Sequence, residues 1–376
     1  MKKPGCRALA AAAAAGVFLP GCTDMGWLPE NLNGAYGDTV DELYYKIMVV
    51  VAVAFFLTEG LLLYSIVRFR ASAGRRAIYS HGSKKTELLW SIVPGFILLW
   101  LALVQKDAWF HIKSEFPKES EAVAVQVMPE QFAWNFRYPG ADGAFGTEDD
   151  LLELNNLHVP VGKNVVTRMS SKDVIHSFFI PLLRVKQDVL PGMMTRAWFR
   201  ADKIGAWNLK TNKVEYLTPA DFDARKVALS PMGEQVGFGL RYGVRDAATG
   251  TFTPADKPGG KRRNGHRDIA YDPPRDKEGK ILVGKSIPTA HQGRIEDLPW
   301  EEAEYVHHPL DLACAELCGA QHYKMRGMVW VEPEYVFKRW HEGRAKYLED
   351  YGEFTETPKW AKIWDGVHPQ YNGAFR

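Results

Sequence analysis

Several features that would point to common functions are missing from this chain. Its 376 residues carry a formal charge of only +2, and no stretch interleaves Arg or Lys with aromatics, so nothing favours nucleic acid as a partner. There is no Gly-rich phosphate loop, which argues against a nucleotide-binding domain. The loop Pro139–Asp150 is rich in acids but lacks the residue order of an EF-hand, so it reads as a solvated hairpin loop and not as a calcium site. Cysteine is scarce, with four in all: Cys6, Cys22, Cys314 and Cys318. No Cys-x-x-Cys-His occurs, which excludes a covalently attached c-type haem.

Long apolar runs, by contrast, are present. Residues 1–22 have a basic start (Lys2, Lys3), an Ala-rich stretch and Phe18-Leu19-Pro20-Gly21-Cys22, the layout of an export signal. It resembles a bacterial lipoprotein signal with Cys22 as the lipidated residue; an ordinary signal peptide or an uncleaved start is the alternative. Ile47–Val67 and Leu88–Val104 are each close to the ~20 residues that cross a bilayer. Tyr44, Tyr45, Trp90, Trp100 and Trp109 supply interfacial aromatics. The short loop between the runs holds Arg68, Arg70, Arg75, Arg76, Lys84 and Lys85, so the positive-inside rule puts it in the cytoplasm and everything after about residue 110 outside. Residues 40–110 are therefore expected to form a transmembrane hairpin. Glu59 lies within the first run, where it either meets a partner or a proton path or sits protonated against a neighbouring helix. Glu87 lies at the mouth of the second, where an acid also suits a helix start.

The outer part, residues 111–335, reads as an all-β domain. Ala122–Val127, Asn164–Met169, Ser177–Ile180, Arg196–Arg200 and Val329–Val331 have the β-branched and aromatic content of strands separated by turn signals. Residues 204–303 interrupt it with Gly, Pro, Lys and Arg and weak periodicity, and read as a loop-rich insertion with at most a few hairpins. That insertion is either a structural surface or a docking surface, and its His266 and His291 read as solvated. Pro333–Leu348 has the spacing of an amphipathic helix and opens a C-terminal helical extension over 336–376.

The most informative run is Cys314-Ala315-Glu316-Leu317-Cys318-Gly319-Ala320-Gln321-His322-Tyr323-Lys324-Met325. Thiolates, imidazole and thioether are soft or borderline ligands and favour copper over magnesium or calcium. The spacing also differs from the usual zinc patterns. A disulfide between Cys314 and Cys318 is the competing reading in an exported chain, but it leaves His322 and Met325 unexplained. Upstream, Asp173-Val174-Ile175-His176-Ser177 places a histidine at the mouth of an apolar strand. Alone it would read as a core residue; beside this run it reads as a further ligand.

These residues closely resemble subunit II of the haem–copper cytochrome c oxidases. The pattern Cys-x-Glu-x-Cys-Gly-x-x-His-x-x-Met is met in full, Asp173–Ser177 and Asp188–Gly192 fit the family, and Trp90–Pro94 resembles its membrane anchor. The resemblance covers about residues 40–204 and 304–335. It implies a two-helix transmembrane hairpin followed by an all-β, cupredoxin-like Greek-key barrel. It implies two copper ions in a binuclear copper A centre, bridged by Cys314 and Cys318, with His176 and His322 as terminal ligands. Met325 would be a weak ligand to one ion and the Glu316 carbonyl to the other. The Glu316 carboxylate would join a magnesium or manganese site shared with subunit I, and Glu87 matches an acid at a proton-channel mouth. The implied role is to take electrons from cytochrome c, or another cytochrome donor, and pass them to haem in subunit I for oxygen reduction coupled to proton pumping. The implied location is a bacterial inner membrane, among the other oxidase subunits, with the β-domain on the periplasmic side. One departure stands out: the family's Gln-Trp-x-Trp reads Gln131-Phe132-Ala133-Trp134 here, so electrons would arrive through Phe132 or Trp134, and the donor's identity is opened. Three other readings compete: a quinol oxidase subunit, which lacks the copper ligands; a tethered copper-delivery protein, which needs exposed ligands; and a copper A domain of a nitrous oxide reductase, which lacks the hairpin.

Overall fold

The computed structural model describes residues 28–351, except 72–73, 75, 77–78, 80, 148, 212, 230–239, 246–251, 255–267, 272–285 and 300–301. The leader with Cys22, His266 and the end of the expected C-terminal extension lie outside the described residues. The chain divides into two compact units: residues 36–115 with those before 32, and residues 116–376 with Leu32–Ala35.

The first unit is a pair of helices, α1 (Gly37–Arg68) and α2 (Lys84–Lys113). At ~1.5 Å per residue each is about 45 Å long, more than the ~30 Å hydrocarbon core requires. The expected apolar runs occupy only part of each helix, and polar turns extend beyond them. The Ser83 hydroxyl caps α2 by accepting from the Thr86 N–H. Inside α1, Thr58 donates its hydroxyl back to the Ala54 carbonyl at 2.9 Å, so it offers no unsatisfied polar group to lipid. Both helices are long and apolar enough to span a membrane, and their outward side chains are apolar over most of their length. Glu59 and Glu87 are both exposed on these helices.

The second unit is built on two five-stranded sheets. Its first strands are β1 (Ala122–Glu130), β2 (Ala133–Tyr138), β3 (Leu151–Leu154), β4 (Asn156–Pro160), β5 (Asn164–Met169), β6 (His176–Ile180), β7 (Val185–Val189) and β8 (Thr195–Arg200). The insertion supplies β9 (Ile204–Asn208), β10 (Lys213–Leu217), the short helix α3 (Pro219–Ala224), β11 (Val227–Ala228), β12 (Leu240–Arg245), β13 (Phe252–Pro254), β14 (Asp268–Tyr271), β15 (Ser286–His291) and β16 (Arg294–Pro299). The chain then returns through β17 (Tyr305–His307), β18 (Leu310–Cys314), β19 (Arg326–Glu332) and helix α4 (Glu334–Tyr351). One sheet runs β3-β2-β1-β5-β8 and the other β4-β19-β18-β6-β7, with parallel pairs β1·β5 and β4·β19 among otherwise antiparallel neighbours. Trp134 of the first sheet meets Phe178 of the second edge-on at 5.7 Å, and Phe136, Leu157, Val165, Phe199, Leu312 and Val329 fill the rest of the core. This is a cupredoxin-like β-sandwich.

The insertion is more ordered than its weak periodicity suggested. Strands β10-β9-β17-β11-β15-β16 form a six-stranded sheet, and β13-β12-β14 form a small one. Every residue of β9 is buried, because Trp207 packs with Ala228 and Val306 into a second small core. His291 is half-buried at the end of β15. Helix α4 closes the other side of the sandwich. Its Trp340 stacks on His158 at 4.2 Å and meets Tyr138 at 5.0 Å, while Arg344 pairs with Glu153 at 2.6 Å.

Candidate metal centre

The second sheet brings the sulfur-rich run and the upstream histidine together by strand pairing. Strand β18 lies between β6 and β19, with Cys314 opposite Phe178. His176 at the start of β6 and Cys314 at the end of β18 therefore share one end of the sheet. The loop 315–325 leaves from that end and returns to β19. It is closed at its base by the Cys314 N–H donating to the Met325 carbonyl at 3.2 Å, and held to β6 by the Ala315 N–H donating to the Ser177 carbonyl at 3.1 Å. A single 3₁₀ turn, His322–Lys324, places His322 and Met325 back over Cys318.

The result is a tight group of donor atoms. His176, Cys314 and Cys318 each offer one ligand atom, all within 4.8 Å of one another. The two sulfurs are 3.8 Å apart and not bonded, far beyond the ~2.05 Å of a disulfide. His176 Nδ1 is 3.8 Å from Cys314 Sγ, and His322 Nδ1 is 3.5 Å from Cys318 Sγ. Met325 Sδ lies 3.6 Å from Cys318 Sγ, and the Glu316 carbonyl oxygen 3.2 Å from Cys314 Sγ. All six residues named from the sequence thus meet at one place. His176, Cys314, Cys318 and Met325 are buried there, while the Glu316 side chain is exposed.

Neighbouring groups fix the ligand orientations. Asp173 Oδ1 accepts from His176 Nε2 at 2.8 Å, which leaves Nδ1 facing the sulfurs. Burial alone would raise the Asp173 carboxyl, but hydrogen bonds from His176 and from the Gln131 and Val174 N–H groups hold it below the usual range. Burial would lower the His176 imidazole; its contacts with Cys314 and Asp173 raise it instead. Of the two thiols, Cys314 is held low despite burial, through hydrogen bonds with His176 and the backbone at Ser177 and Glu316. Cys318 is pushed up by burial and by the Cys314 charge. Cys314 is thus the thiol more readily deprotonated of the two, which suits a site for a soft metal.

The turn between β1 and β2 covers the loop. The Gln131 side-chain amide donates to the Cys318 carbonyl while its backbone N–H donates to Asp173 Oδ2 at 2.7 Å. One residue therefore ties the His176 side of the group to the Cys318 side. The sequence marked Gln131 only as the start of the Gln-Phe-Ala-Trp segment, and its tie between the two sides of the group emerges only from contacts between distant segments. Gly319 has φ +131°, and a Cβ there would sit 3.2 Å from Phe132 Cζ. Phe132 is half-buried, directly over Gly319. Trp134 is different: it is fully buried and meets His176 edge-on at 6.3 Å behind the group. Of the two aromatics expected on the electron path, only Phe132 reaches the surface. Glu87 lies in the helical unit, in the first turn of α2.

Comparison with known proteins agrees with this arrangement. The family model for the transmembrane domain of cytochrome c oxidase subunit II matches residues 34–105, and that for its periplasmic domain matches residues 123–214. The second match contains His176 and stops just inside the insertion, so the loop 315–325 lies beyond it. The alternative cytochrome c oxidase subunit 2 of Bradyrhizobium diazoefficiens is 29% identical over 207 residues, covering 49% of this chain and 72% of that one. The quinol oxidase subunit 2 of Bacillus subtilis is 25% identical over 151 residues, covering 39% of this chain and 44% of that one. The solved periplasmic domain of cytochrome oxidase subunit II from Bradyrhizobium japonicum aligns with 61% of this chain and 97% of that one, at 16% identity and a TM-score of 0.30, a score that adds nothing to the fold traced above. Two membrane-spanning helices, a cupredoxin-like domain and a His/Cys/Cys/Met group at one end of its sheet go together with these matches: residues 34–105 and 123–214 match the transmembrane and periplasmic domains of cytochrome c oxidase subunit II.

Proposed function

We propose that this chain is the electron-accepting subunit of a respiratory haem–copper oxidase. It takes electrons from cytochrome c or another cytochrome at a binuclear copper A centre, and hands them to haem in subunit I for oxygen reduction coupled to proton pumping. The observation that carries the reading is the convergence of two free sulfurs, two imidazole Nδ1 atoms, a thioether and a carbonyl on one end of a rigid sheet. The donor set fits copper: soft sulfur and imidazole, with one thiol already held low. When bound, the copper pair supplies a one-electron carrier.

Each residue then has a task. Cys314, Cys318, His176 and His322 would hold the copper ions, the two sulfurs as the soft, charge-bearing donors and the two imidazoles as the neutral ones. Met325 and the Glu316 carbonyl lie on either side of the sulfurs as weaker donors. Asp173 and Gln131 hold the His176 and Cys318 sides in register, so little has to move as charge changes. The Glu316 carboxylate, exposed beside the group, is free to join a magnesium or manganese site with subunit I. Glu87 serves as a proton-channel mouth. The basic loop between α1 and α2 supports a β-unit on the periplasmic side of a bacterial inner membrane, with Cys22 as a further anchor once the leader is cut.

Similarity alone does not choose between a cytochrome and a quinol as donor, since relatives named for both occur. The intact ligand set favours the cytochrome. The test is copper stoichiometry and electron spin resonance of the full chain in detergent. Cys318→Ser should abolish the two-copper signal, His176→Asn should distort it, and Met325→Leu should keep both coppers but shift the potential. Two coppers retained by Cys318→Ser would refute the assignment.

A further inference from the structure

The β-unit exposes few large apolar side chains, and their location is informative. Among its described residues they are Ile175 (44% exposed), Met193 (56%), Leu317 (78%) and Tyr323 (69%). Ile175 precedes His176, Leu317 lies between Glu316 and Cys318, and Tyr323 follows His322. Met193 belongs to the turn after β7, which a bridge between Ser171 and Pro191 sets beside the 171–175 loop. Phe132, half-buried over Gly319, lies among them. Elsewhere the described residues of this unit keep their large hydrophobics covered, so a cluster confined to one end marks a contact surface.

Charge on the same rim is nearly balanced and largely consumed. Lys172, Lys324 and Arg326 stand against Glu130, Asp173, Asp188 and Glu316, three positive and four negative, for a formal sum of −1. Lys172 is paired with Glu130 at 3.0 Å. Asp173 is occupied by His176 and the Gln131 and Val174 N–H groups. Lys324 lies 5.5 Å from the ring centre of Tyr323. Glu316, Asp188 and Arg326 remain, a single net negative charge. A surface of this kind offers little field to steer a charged partner.

We propose that this rim docks a soluble cytochrome whose own contact face is apolar and close to neutral, held by desolvation around Leu317 and Tyr323 and not by charge pairing. The inference rests on the electron-accepting reading above. Each encounter moves one electron: the donor haem iron goes from ferrous to ferric and the acceptor site gains that electron, with no bond made and no proton moved.

The test uses the intact oxidase complex in detergent and two reduced probes, a strongly basic mitochondrial cytochrome c and a near-neutral bacterial cytochrome c. Second-order rates of donor oxidation are followed by stopped flow from ~10 to ~300 mM ionic strength, a range over which the screening length falls severalfold. The neutral donor should react at rates that change less than about threefold with salt. Leu317→Ser and Tyr323→Ser should each slow it about tenfold with the copper resonance signal unchanged, as expected for exposed anchors of an apolar contact, and Tyr323→Phe should keep the rate. A neutral-donor rate that falls about a hundredfold with salt would overturn the proposal, as would wild-type rates in both serine variants. So would a reaction confined to the basic donor. A wild-type complex lacking the two-copper signal would instead overturn the electron-accepting reading itself, and this surface with it.

Discussion

Gly319→Ala is the substitution whose cost can be worked out most closely. Gly319 sits at φ +131°, a conformation L side chains rarely adopt, and a Cβ there would lie 2.7 Å from Gln131 Nε2, 3.2 Å from Phe132 Cζ and 3.3 Å from Phe132 Cε1. The backbone conformation costs about 1–3 kcal/mol. The Gln131 amide can swing away, but it then loses its hydrogen bond to the Cys318 carbonyl, about 1 kcal/mol more. The metal-free loop can relax to relieve both, whereas metal binding demands the native geometry, so the sum falls on affinity. About 2–4 kcal/mol corresponds to a loss of roughly 30- to 700-fold. The assay is competition for copper between the full chain and a chelator of known affinity, read by the resonance signal. A double-mutant cycle adds resolution. With Gln131→Ala as background the shortest contact is gone, and the added cost of Gly319→Ala should shrink towards the backbone share alone. A Gly319→Ala chain that binds copper within threefold of wild type would refute the clamp formed by Gln131, Phe132 and Gly319.

Three further outcomes are expected. Asp173→Ala removes the acceptor that orients His176 and should weaken copper binding by about 10- to 100-fold in the same competition assay, with Asp173→Asn, which keeps one acceptor oxygen, in between. Burial pushes His308 down from 6.5 to about 4, and burial lowers His307 as well. The unfolded chain therefore takes up the proton first as pH falls. Stability is full above about pH 6.5 and is lost as pH drops towards 4, by roughly 3 kcal/mol for His308, and denaturant midpoints for His308→Gln should lose most of that slope. Trp340→Ala removes the ring that packs on His158 and Tyr138 and should destabilise the β-unit by about 3–5 kcal/mol; a shift in thermal unfolding worth less than about 1 kcal/mol would mean that α4 packs without it.

Much of this was legible in the sequence because its signals are local. The span Asn164–Met169 is a strand as read, and the apolar runs at Ile47–Val67 and Leu88–Val104 lie inside helices, because β-branched content and long apolar stretches act over a few residues. The sulfur-rich run stood out for the same reason, since four of its donors lie within one loop. What could not be read depends on packing between distant segments. Gln131 reaches the Cys318 carbonyl across 187 positions, and no residue pattern encodes such a contact. Trp134 was expected on the electron path beside Phe132, yet it lies within β2 and packs inward against Phe178 and His176, whereas Phe132 stands in the turn before that strand. The insertion read as loops because its strands borrow partners from elsewhere: β9 pairs with β17, which lies beyond the insertion. Its apolar residues find a core only through those long-range pairings, so the local periodicity stayed weak.

The central question is whether the converging donor atoms hold two metal ions as one electronic unit. The most direct measurement is copper per chain on the purified full-length protein, with its electron spin resonance spectrum recorded on the same sample. Two coppers sharing a single unpaired electron, with the signal lost in Cys318→Ser, is the predicted result. One copper per chain with an ordinary single-ion spectrum, or none at all, would contradict it.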